Sequence, residues 1–219
     1  MKERREIMYS LQKQQLIEYG NKLIKDKYTL GTGGNLSAYI REKQVMLITP
    51  SGIPFNEITI DDIVVMNCDG EILAGTKLPS SEWQMHGIIY KNRDDIDCII
   101  HAHTVYSTAL AVLRQPLPAS HYMIAVAGKD VQCAEYASFG TEELAKNAFE
   151  AMKDRKAVLL ANHGVLTGGK TMLEAYTVLE ELEYCSKVHL VASSAGTPTI
   201  MPEEEMANMA ERFKTYGQQ

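Results

Sequence analysis

Asp97-Cys98-Ile99-Ile100-His101-Ala102-His103 is a short apolar run that ends in two histidines one residue apart. The run predicts a buried strand whose end opens into a site. Because side chains at positions i and i+2 of a strand point to the same face, His101 and His103 would present two imidazoles side by side. Neutral imidazole is a common zinc ligand, so the pair offers half of a tetrahedral site. Such a short motif also arises by chance, and a metal site needs a third ligand, a carboxylate and a substrate pocket elsewhere in the chain.

Composition and charge favour one globular domain, residues 1–219, with the make-up of a soluble enzyme. The net charge is −6 and the basic residues are scattered, which argues against a nucleic-acid partner. The four cysteines are far apart and form no C-x-x-C motif, and we find no signal peptide, so we expect reduced thiols in a cytoplasmic protein. No apolar run approaches the roughly 18 to 20 residues of a membrane span.

Periodic patterns predict an alternation of helices and strands around the central run. The predicted helices cover residues 6–26, 83–90, 105–113, 141–152, 171–192 and 203–213, and the predicted strands cover 36–40, 45–48, 63–67, 71–73 and 157–160. Residues 121–139 read as mixed short strands and turns. The strand at 157–160 is followed by Asn162-His163-Gly164, so a second buried strand also ends near a histidine.

Three polar segments could bind an anion. Gly31-Thr32-Gly33-Gly34-Asn35 precedes a strand pair instead of opening a helix, which argues against a dinucleotide site but leaves backbone amides free for an anion. Thr49-Pro50-Ser51-Gly52 is a turn with a second pair of small donors. Pro79-Ser80-Ser81-Glu82 predicts a serine-capped helix start with Glu82 in its first turn. Capping alone would explain these three polar residues, while a helix N-terminus with free hydroxyls also suits a phosphate.

Residues 164–171 fit the phosphate-loop pattern of nucleotide-binding proteins, with Lys170 as its lysine. However, residues 165–167 form an apolar run that favours a strand, and no downstream strand ends in a magnesium-binding aspartate. The pattern requires that context, so we predict that this segment does not bind a nucleotide.

The histidines and one carboxylate together predict a catalytic site. Three neutral histidines (His101, His103 and His163) with an open fourth position are typical of catalytic zinc, and a nearby Glu82 would serve as general base. With the small donors above, this combination fits metal-assisted carbanion chemistry on a sugar phosphate. His86, four residues after Glu82, either shares a ligand with it or makes a core hydrogen bond.

Several segments, taken in order, resemble the zinc-dependent class II aldolase/adducin family. They are Thr32-Gly33-Gly34-Asn35-Leu36-Ser37, Ile48-Thr49-Pro50-Ser51-Gly52, Lys77-Leu78-Pro79-Ser80-Ser81-Glu82-Trp83, His101-Ala102-His103 and Asn162-His163-Gly164, with further matches at 121–125, 139–141 and 213–217. The resemblance implies a three-layer α/β/α fold with a largely antiparallel central sheet. It also implies a homotetramer with active sites at subunit interfaces, and a mobile C-terminal tail at about 214–219.

The resemblance also implies roles for individual residues. One Zn²⁺ per subunit would be held by His101, His103 and His163, and Glu82 would be the catalytic acid/base that also ligates the metal when substrate is absent. The phosphate-binding positions would be Thr32, Gly34, Asn35, Ser51, Gly52, Ser80 and Ser81. Tyr122 would reach a neighbouring subunit's site, and Tyr216 would lie on the mobile tail as a second catalytic tyrosine.

The implied reaction is reversible aldol cleavage of L-fuculose 1-phosphate to dihydroxyacetone phosphate and L-lactaldehyde. Zinc would act as a Lewis acid, Tyr122 would handle the proton of the hydroxyl that becomes the aldehyde, and Glu82 would protonate the carbon left behind. L-Ribulose-phosphate 4-epimerases share the histidines but usually have aspartate in place of Glu82. Methylthioribulose-phosphate dehydratases keep a glutamate, and an adducin-like interaction domain would lack a working metal site.

Overall fold

The computed structural model describes residues 9–215, which contain one eight-stranded sheet. The strands are β1 (Asn35–Ile40), β2 (Val45–Ile48), β3 (Val64–Met66), β4 (Ile72–Ala74), β5 (Cys98–Ala102), β6 (Cys133–Ala134), β7 (Ala157–Leu160) and β8 (Gly164–Gly169). They are arranged in the order β4-β3-β2-β1-β5-β8-β7-β6. The strand with which the sequence analysis began therefore lies in the middle of the sheet.

The sheet is antiparallel at every pairing except the short parallel contact between β6 and β7. This confirms the largely antiparallel sheet that the resemblance implied. In the register of β5, Asn35 of β1 lies opposite His101 on one side and Leu166 of β8 lies opposite it on the other. The register thus brings polar residues of β1 next to the first histidine.

Helices cover both faces of the sheet. They are α1 (Ser10–Lys25), α2 (Trp83–Asn92), α3 (Val105–Val112), α4 (Glu142–Met152), α5 (Met172–Ala195) and α6 (Glu203–Phe213). Leu23, Leu110 and Leu179 of α1, α3 and α5 belong to one apolar core, whereas Ile89 and Leu144 of α2 and α4 belong to the other. The arrangement is the expected α/β/α sandwich.

Strand β5 contributes alternate side chains to the two cores. Ile100 and Ala102 belong to the core of α1, α3 and α5, whereas Ile99 belongs to that of α2 and α4. Since His101 follows Ile99 by two residues, it lies on the α2 side of the sheet. The helix that begins after Glu82 therefore covers the face from which the histidine projects.

The start of α2 differs from the prediction. The helix begins at Trp83 and Glu82 is its N-cap residue, so Glu82 precedes the first turn and neither serine caps the helix. The Ser80 hydroxyl instead accepts the Glu82 backbone N–H (3.3 Å), and the Ser80 carbonyl accepts that of Trp83 (3.2 Å). A turn ahead of the helix satisfies these N–H groups, and this leaves the Glu82 side chain free for the site.

Most other predicted elements are confirmed, with two differences. Residues 121–139 contain a 3₁₀ helix, Tyr122–Val126, and only the two-residue strand β6. The opening helix is described from Ser10, and the predicted residues 6–8 lie outside the described part of the chain. Within residues 9–215, no helix combines the length and apolar character needed to cross a membrane.

Candidate active site

Three histidines converge where β5 and the β7–β8 hairpin end. His101 lies within β5, His103 follows it, and His163 lies in the turn between β7 and β8. The ring centroid of His101 is 4.8 Å from those of both His103 and His163, and the latter two are 5.3 Å apart. One ring nitrogen from each lies within 4.8 Å of the others, which is close enough for the three to share a metal ion.

Two glycines make room for this cluster. A Cβ at Gly164 would lie 2.5 Å from the Ala102 carbonyl oxygen and 2.7 Å from a ring carbon of His103. Gly34 has a φ of +79°, and a Cβ there would lie 2.5 Å from the His101 carbonyl oxygen. Both approaches are too short for any side chain, so glycine at these positions allows the backbones to pack around the histidines.

Glu82 closes the cluster from the helix side. One carboxylate oxygen, Oε2, lies 3.2 Å from His101 Nε2, and the other, Oε1, lies 3.4 Å from His163 Nε2. The Asn35 amide donates to Oε2 at 3.0 Å. Among the described residues, Oε1 has no hydrogen-bond partner although it is buried. An unpaired buried carboxylate oxygen is costly, and a cation between Glu82 and the imidazoles would satisfy it.

Burial and mutual charge set the protonation of the four groups. Burial alone would raise the pKa of the Glu82 carboxyl, but the charge of His101 and the bonds from His101 and Asn35 lower that pKa to about 2. Burial, together with the charge of His101, lowers the pKa values of His103 and His163 to about 4. Burial opposes the charged form of His101 too, yet the adjacent Glu82 raises the pKa of that imidazole. At neutral pH the site therefore offers a carboxylate and two neutral imidazoles.

The donor set fits a divalent metal. His101 Nδ1 lies 2.8 Å from the Val165 carbonyl oxygen, so it donates there and leaves Nε2 to face the cluster as a ligand. Three imidazole nitrogens and one carboxylate match the ligands that zinc and related ions prefer. The fit follows from the positions of these groups and from the unpaired oxygen of Glu82.

A cavity of about 330 Å³ opens beside the cluster. It is lined by all seven predicted phosphate-binding residues, Thr32, Gly34, Asn35, Ser51, Gly52, Ser80 and Ser81, and by Glu82, His103 and His163. Two of its loops are tied together, because Ser51 N–H donates to the Leu78 carbonyl and Ser80 N–H to that of Thr49. The structure thus brings together residues that are widely separated in the sequence.

The cavity also includes residues for which the sequence analysis assigned no role. Tyr136, Phe139 and Asn162 line it, and the two aromatic rings are mostly exposed. Phe139 was part of the resemblance, but its exposure on an irregular segment could not be read from periodicity.

One of the two predicted catalytic tyrosines, Tyr122, does not line this cavity. Tyr122 is 45% exposed, and its ring stacks on Phe213 and lies tilted against His121. Tyr216 lies outside the described residues. His86 is fully buried and bonds to Ser37 and Asn35, so the core hydrogen-bond interpretation is confirmed.

A larger cavity of about 710 Å³ lies elsewhere and contains none of the three histidines. Three of the cationic side chains in its lining are paired with carboxylates. Arg93 pairs with Asp95, Arg155 with Asp130, and Lys156 with Glu174. The smaller cavity, with its metal-binding group and free donors, is therefore the better candidate active site.

Comparison with known proteins agrees with this assignment. The sequence profile of the family described as Class II Aldolase and Adducin N-terminal domain matches residues 14–190. A 5-deoxy-D-ribulose 1-phosphate aldolase of Bacillus thuringiensis serovar kurstaki is 45% identical over 208 residues, which cover 95% of this chain and 98% of that protein. An L-fuculose phosphate aldolase of Escherichia coli K12 is 41% identical over 85% of this chain and 86% of its own.

Solved structures show the same similarity. An L-fuculose 1-phosphate aldolase superposes with a TM-score of 0.91 at 61% identity, over 92% of this chain and 95% of its own.

Proposed function

The chain belongs to the class II aldolase and adducin family and is a metal-dependent aldolase, and we propose that it reversibly cleaves L-fuculose 1-phosphate. The products would be dihydroxyacetone phosphate and L-lactaldehyde. The observation that carries this proposal is the convergence of three histidines and Glu82 on a cavity lined by small hydrogen-bond donors. The naming of a structural neighbour at 61% identity as an L-fuculose 1-phosphate aldolase supports the choice of substrate.

We assign the phosphate to the loop side of the cavity. The hydroxyls of Thr32, Ser51 and Ser81 are on exposed residues, and the backbone at Gly34 and Gly52 has positive φ. Hydroxyls and backbone N–H groups in such turns form a concave set of donors for an anion. Ser80 and Asn35 complete the set from the buried side.

We assign one zinc ion per subunit to His101, His103 and His163, with Glu82 as a further ligand in the absence of substrate. When bound, the ion supplies Lewis acidity to the carbonyl and hydroxyl oxygens of the ketose. The Nδ1–H of His101 stays bonded to the Val165 carbonyl, which fixes the ring that presents Nε2.

Glu82 transfers a proton to and from a carbon atom of the substrate. Its lowered pKa keeps it deprotonated at neutral pH. In the synthetic direction it accepts a proton from the carbon next to the carbonyl of dihydroxyacetone phosphate, and in the cleavage direction it returns that proton. The bond from Asn35 holds the carboxylate in one orientation while it does so.

We propose that Tyr122 acts in a neighbouring subunit of a homotetramer, where it handles the proton of the hydroxyl that becomes the aldehyde. Its exposed ring, outside the cavity of its own chain, is available for such a contact. Tyr216 retains its proposed place on a mobile tail at about 214–219. Residues 1–219 would form a single domain in this assembly.

The second candidate substrate is 5-deoxy-D-ribulose 1-phosphate. It is favoured by the 45% identity to a relative named as the aldolase for that sugar. The two ketose phosphates yield the same dihydroxyacetone phosphate and differ by one CHOH group in the aldehyde. The phosphate and metal sides of the cavity therefore suit both, and the aldehyde side decides between them.

A panel of sugar phosphates tests the proposal. The zinc-loaded protein would be offered the 1-phosphates of L-fuculose, 5-deoxy-D-ribulose, L-rhamnulose and L-ribulose, together with L-ribulose 5-phosphate, while the release of dihydroxyacetone phosphate is followed. We expect the highest kcat/KM with L-fuculose 1-phosphate. A higher value with 5-deoxy-D-ribulose 1-phosphate would select the second candidate.

The same panel, extended by methylthioribulose 1-phosphate, tests the remaining alternatives. Epimerisation of L-ribulose 5-phosphate without cleavage would indicate the epimerase, and loss of water from methylthioribulose 1-phosphate would indicate the dehydratase. Binding without turnover of any sugar phosphate would favour an adducin-like interaction domain.

A further inference from the structure

A chain of buried hydrogen bonds runs from the sheet core to Glu82. Tyr90 Oη lies 2.6 Å from Ser37 Oγ, which lies 2.6 Å from His86 Nδ1. His86 Nε2 lies 2.6 Å from Asn35 Oδ1, and Asn35 Nδ2 lies 3.0 Å from Glu82 Oε2. All five residues are at most 7% exposed. Bulk water therefore does not compete for the hydrogen bonds of these five residues.

Two sequence spacings build this chain. Asn35 and Ser37 are two residues apart on β1 and point to the same face of the sheet. Glu82, His86 and Tyr90 are four residues apart along α2 and its N-cap, and so lie on one side of that helix. Packing α2 against β1 interleaves the two sets, and each polar group meets a partner from the other element.

The carboxylate fixes the direction of every hydrogen in the chain. Carboxylate oxygens accept, and Asn35 faces Glu82 Oε2 with its amide N–H. The Asn35 carbonyl then faces His86, which must donate from Nε2 and accept at Nδ1. Because Nδ1 accepts, the Ser37 hydroxyl must donate its proton to it.

The far end of the chain fits the same direction. With its own proton donated to His86, Ser37 Oγ accepts from Tyr90. The Tyr90 hydroxyl also lies 3.1 Å from the Ser37 carbonyl oxygen, so both acceptors for its single proton belong to one residue. Burial lowers the pKa of His86 to about 3, which agrees with a neutral ring that has a free lone pair.

We propose that His86 is a positioning residue for the aldolase reaction, which holds Asn35 in a single amide orientation and through it aims the Glu82 carboxylate. Without the Nε2–H donor, the Asn35 amide loses the partner that distinguishes its oxygen from its nitrogen. A flipped amide would place its carbonyl against the carboxylate, and Glu82 would move. Asn35 also lines the cavity, so the same residue links the base to the phosphate side. This inference rests on the proposed function for Glu82.

Two substitutions at the same position separate positioning from packing. His86→Gln keeps an N–H donor near Asn35 Oδ1, whereas His86→Leu fills the space without one. We expect His86→Leu to lower kcat by about 10- to 100-fold, the usual effect of losing a partner that orients a ligand, with KM within about twofold. His86→Gln should recover most of that loss. Equal kcat values for both variants and the wild type would overturn the proposal.

Zinc affinity and the tautomer are readouts that do not need turnover. We expect His86→Leu to weaken zinc binding about tenfold through misplacement of Glu82, and His86→Gln to weaken it less. In the metal-free wild type, ¹⁵N NMR should show His86 with its proton on Nε2. A proton on Nδ1, or unchanged zinc affinity in His86→Leu, would contradict the proposal.

These measurements distinguish this proposal from the proposed function. A wild type that cleaves none of the sugar phosphates would refute the function, while zinc affinity and the tautomer would still decide the role of His86. If His86→Leu does not fold, Ser37→Ala takes its place, because it leaves Nδ1 without a donor and permits the wrong tautomer. Ser186→Ala is the matched control, since it removes a buried serine hydroxyl bonded to Ser107 and should change neither kcat nor zinc affinity.

Discussion

The metal side and the phosphate side of the cavity are built in different ways. The metal side consists of Glu82 and of imidazoles within β5, directly after β5 and in the β7–β8 turn, and buried strands fix its geometry. The phosphate side consists of three loops, and Thr32, Ser51 and Ser81 on them are exposed. The donor groups of the metal side are all side chains, whereas much of the phosphate side depends on the backbone conformation of its loops.

This difference has a consequence for function. In the proposed function each metal-side group has a separate task, and removing one leaves an unfilled ligand position or an unpaired buried charge. In the proposed function the phosphate-side donors act together on one anion, so the other donors partly compensate for the loss of one. Single substitutions should therefore have much larger effects on the metal side.

The largest effect is expected for the histidines themselves. His163→Ala should abolish stoichiometric zinc binding and reduce dihydroxyacetone phosphate release by more than about a hundredfold, because two imidazoles cannot hold a catalytic zinc. Metal content and activity are measured on the same preparation. His189→Ala, on α5 and bonded to Ser120, is the control and should keep both. Full metal content in His163→Ala would remove that residue from the ligand set.

Glu82→Gln should give the next largest effect. The amide cannot accept the proton, so exchange of the carbon-bound proton of dihydroxyacetone phosphate should slow by about 10²- to 10⁴-fold. Phosphate-dependent binding should persist because the loops are unchanged. Exchange is followed by NMR in deuterated buffer, with Glu181→Gln as a control on α5. An unimpaired exchange rate would exclude Glu82 as the base.

Acid should destabilise the metal-free protein mainly by protonating the metal-side groups and the buried His86 behind them. The pKa values of His86, His103 and His163 are lowered in the folded state, to about 3, 4 and 4. Between these values and the ordinary 6.5, the unfolded chain binds more protons, so stability falls as pH falls. The contribution of Glu82, whose pKa is lowered to about 2, is present above its ordinary 4.5 and is lost as pH falls further.

The contribution of His101 to stability should change with pH in the opposite direction. Its pKa is raised, so its contribution is present below 6.5 and is lost as pH rises through the folded value. Thermal unfolding from pH 7 to pH 4 measures the balance. Four histidines have lowered pKa values, since burial also lowers that of His189, and one has a raised value, so we expect Tm to fall with pH. His86→Gln should flatten the curve below pH 6.5. An unchanged slope in that variant would contradict a neutral, buried His86.

A smaller effect is expected on the phosphate side. Ser51→Ala should raise KM about three- to tenfold and leave kcat nearly unchanged, as the loss of one hydrogen bond of about 1 kcal/mol implies. Competition by inorganic phosphate should weaken by the same factor. Ser194→Ala, on the exposed end of α5, is the control. A loss in kcat as large as that of Glu82→Gln would show that the two sides do not differ.

The contrast between the two sides also explains what the sequence could predict. The three histidines and Glu82 were identifiable because few residue types bind metals and because two of the strand ends were clear. The serine cap was a wrong prediction, because a turn before Trp83 satisfies the N–H groups that Ser80 and Ser81 were expected to cap.

Long-range pairing was beyond the reach of local patterns. The polarity of the sheet came from the resemblance, because periodicity does not show which strands are neighbours. The spacings of Asn35 with Ser37, and of Glu82 with His86 and Tyr90, were visible in the sequence. These residues form hydrogen bonds with one another only because α2 packs against β1, and that packing is visible only in the fold.

Lys170 should give the smallest effect, although it completes the phosphate-loop pattern. Residues 165–167 lie within β8, as predicted, and Lys170 Nζ lies 2.8 Å from Asp97 Oδ2, at the far end of β5 from the histidines. A Cβ at Gly169 would lie 2.7 Å from the Ala175 backbone nitrogen, so the start of α5 packs too closely on this turn to admit a phosphate.

Lys170→Met should therefore keep kcat and KM within about twofold. Because the pair with Asp97 is partly exposed, its loss should lower stability by no more than about 1 kcal/mol, measured by urea unfolding. ATP should not shift the Tm of the wild type. Loss of aldolase activity in Lys170→Met, or stabilisation by ATP that this variant lacks, would place phosphate chemistry at the β8–α5 turn. The serine and glycine loops would then no longer be the sole phosphate-binding side.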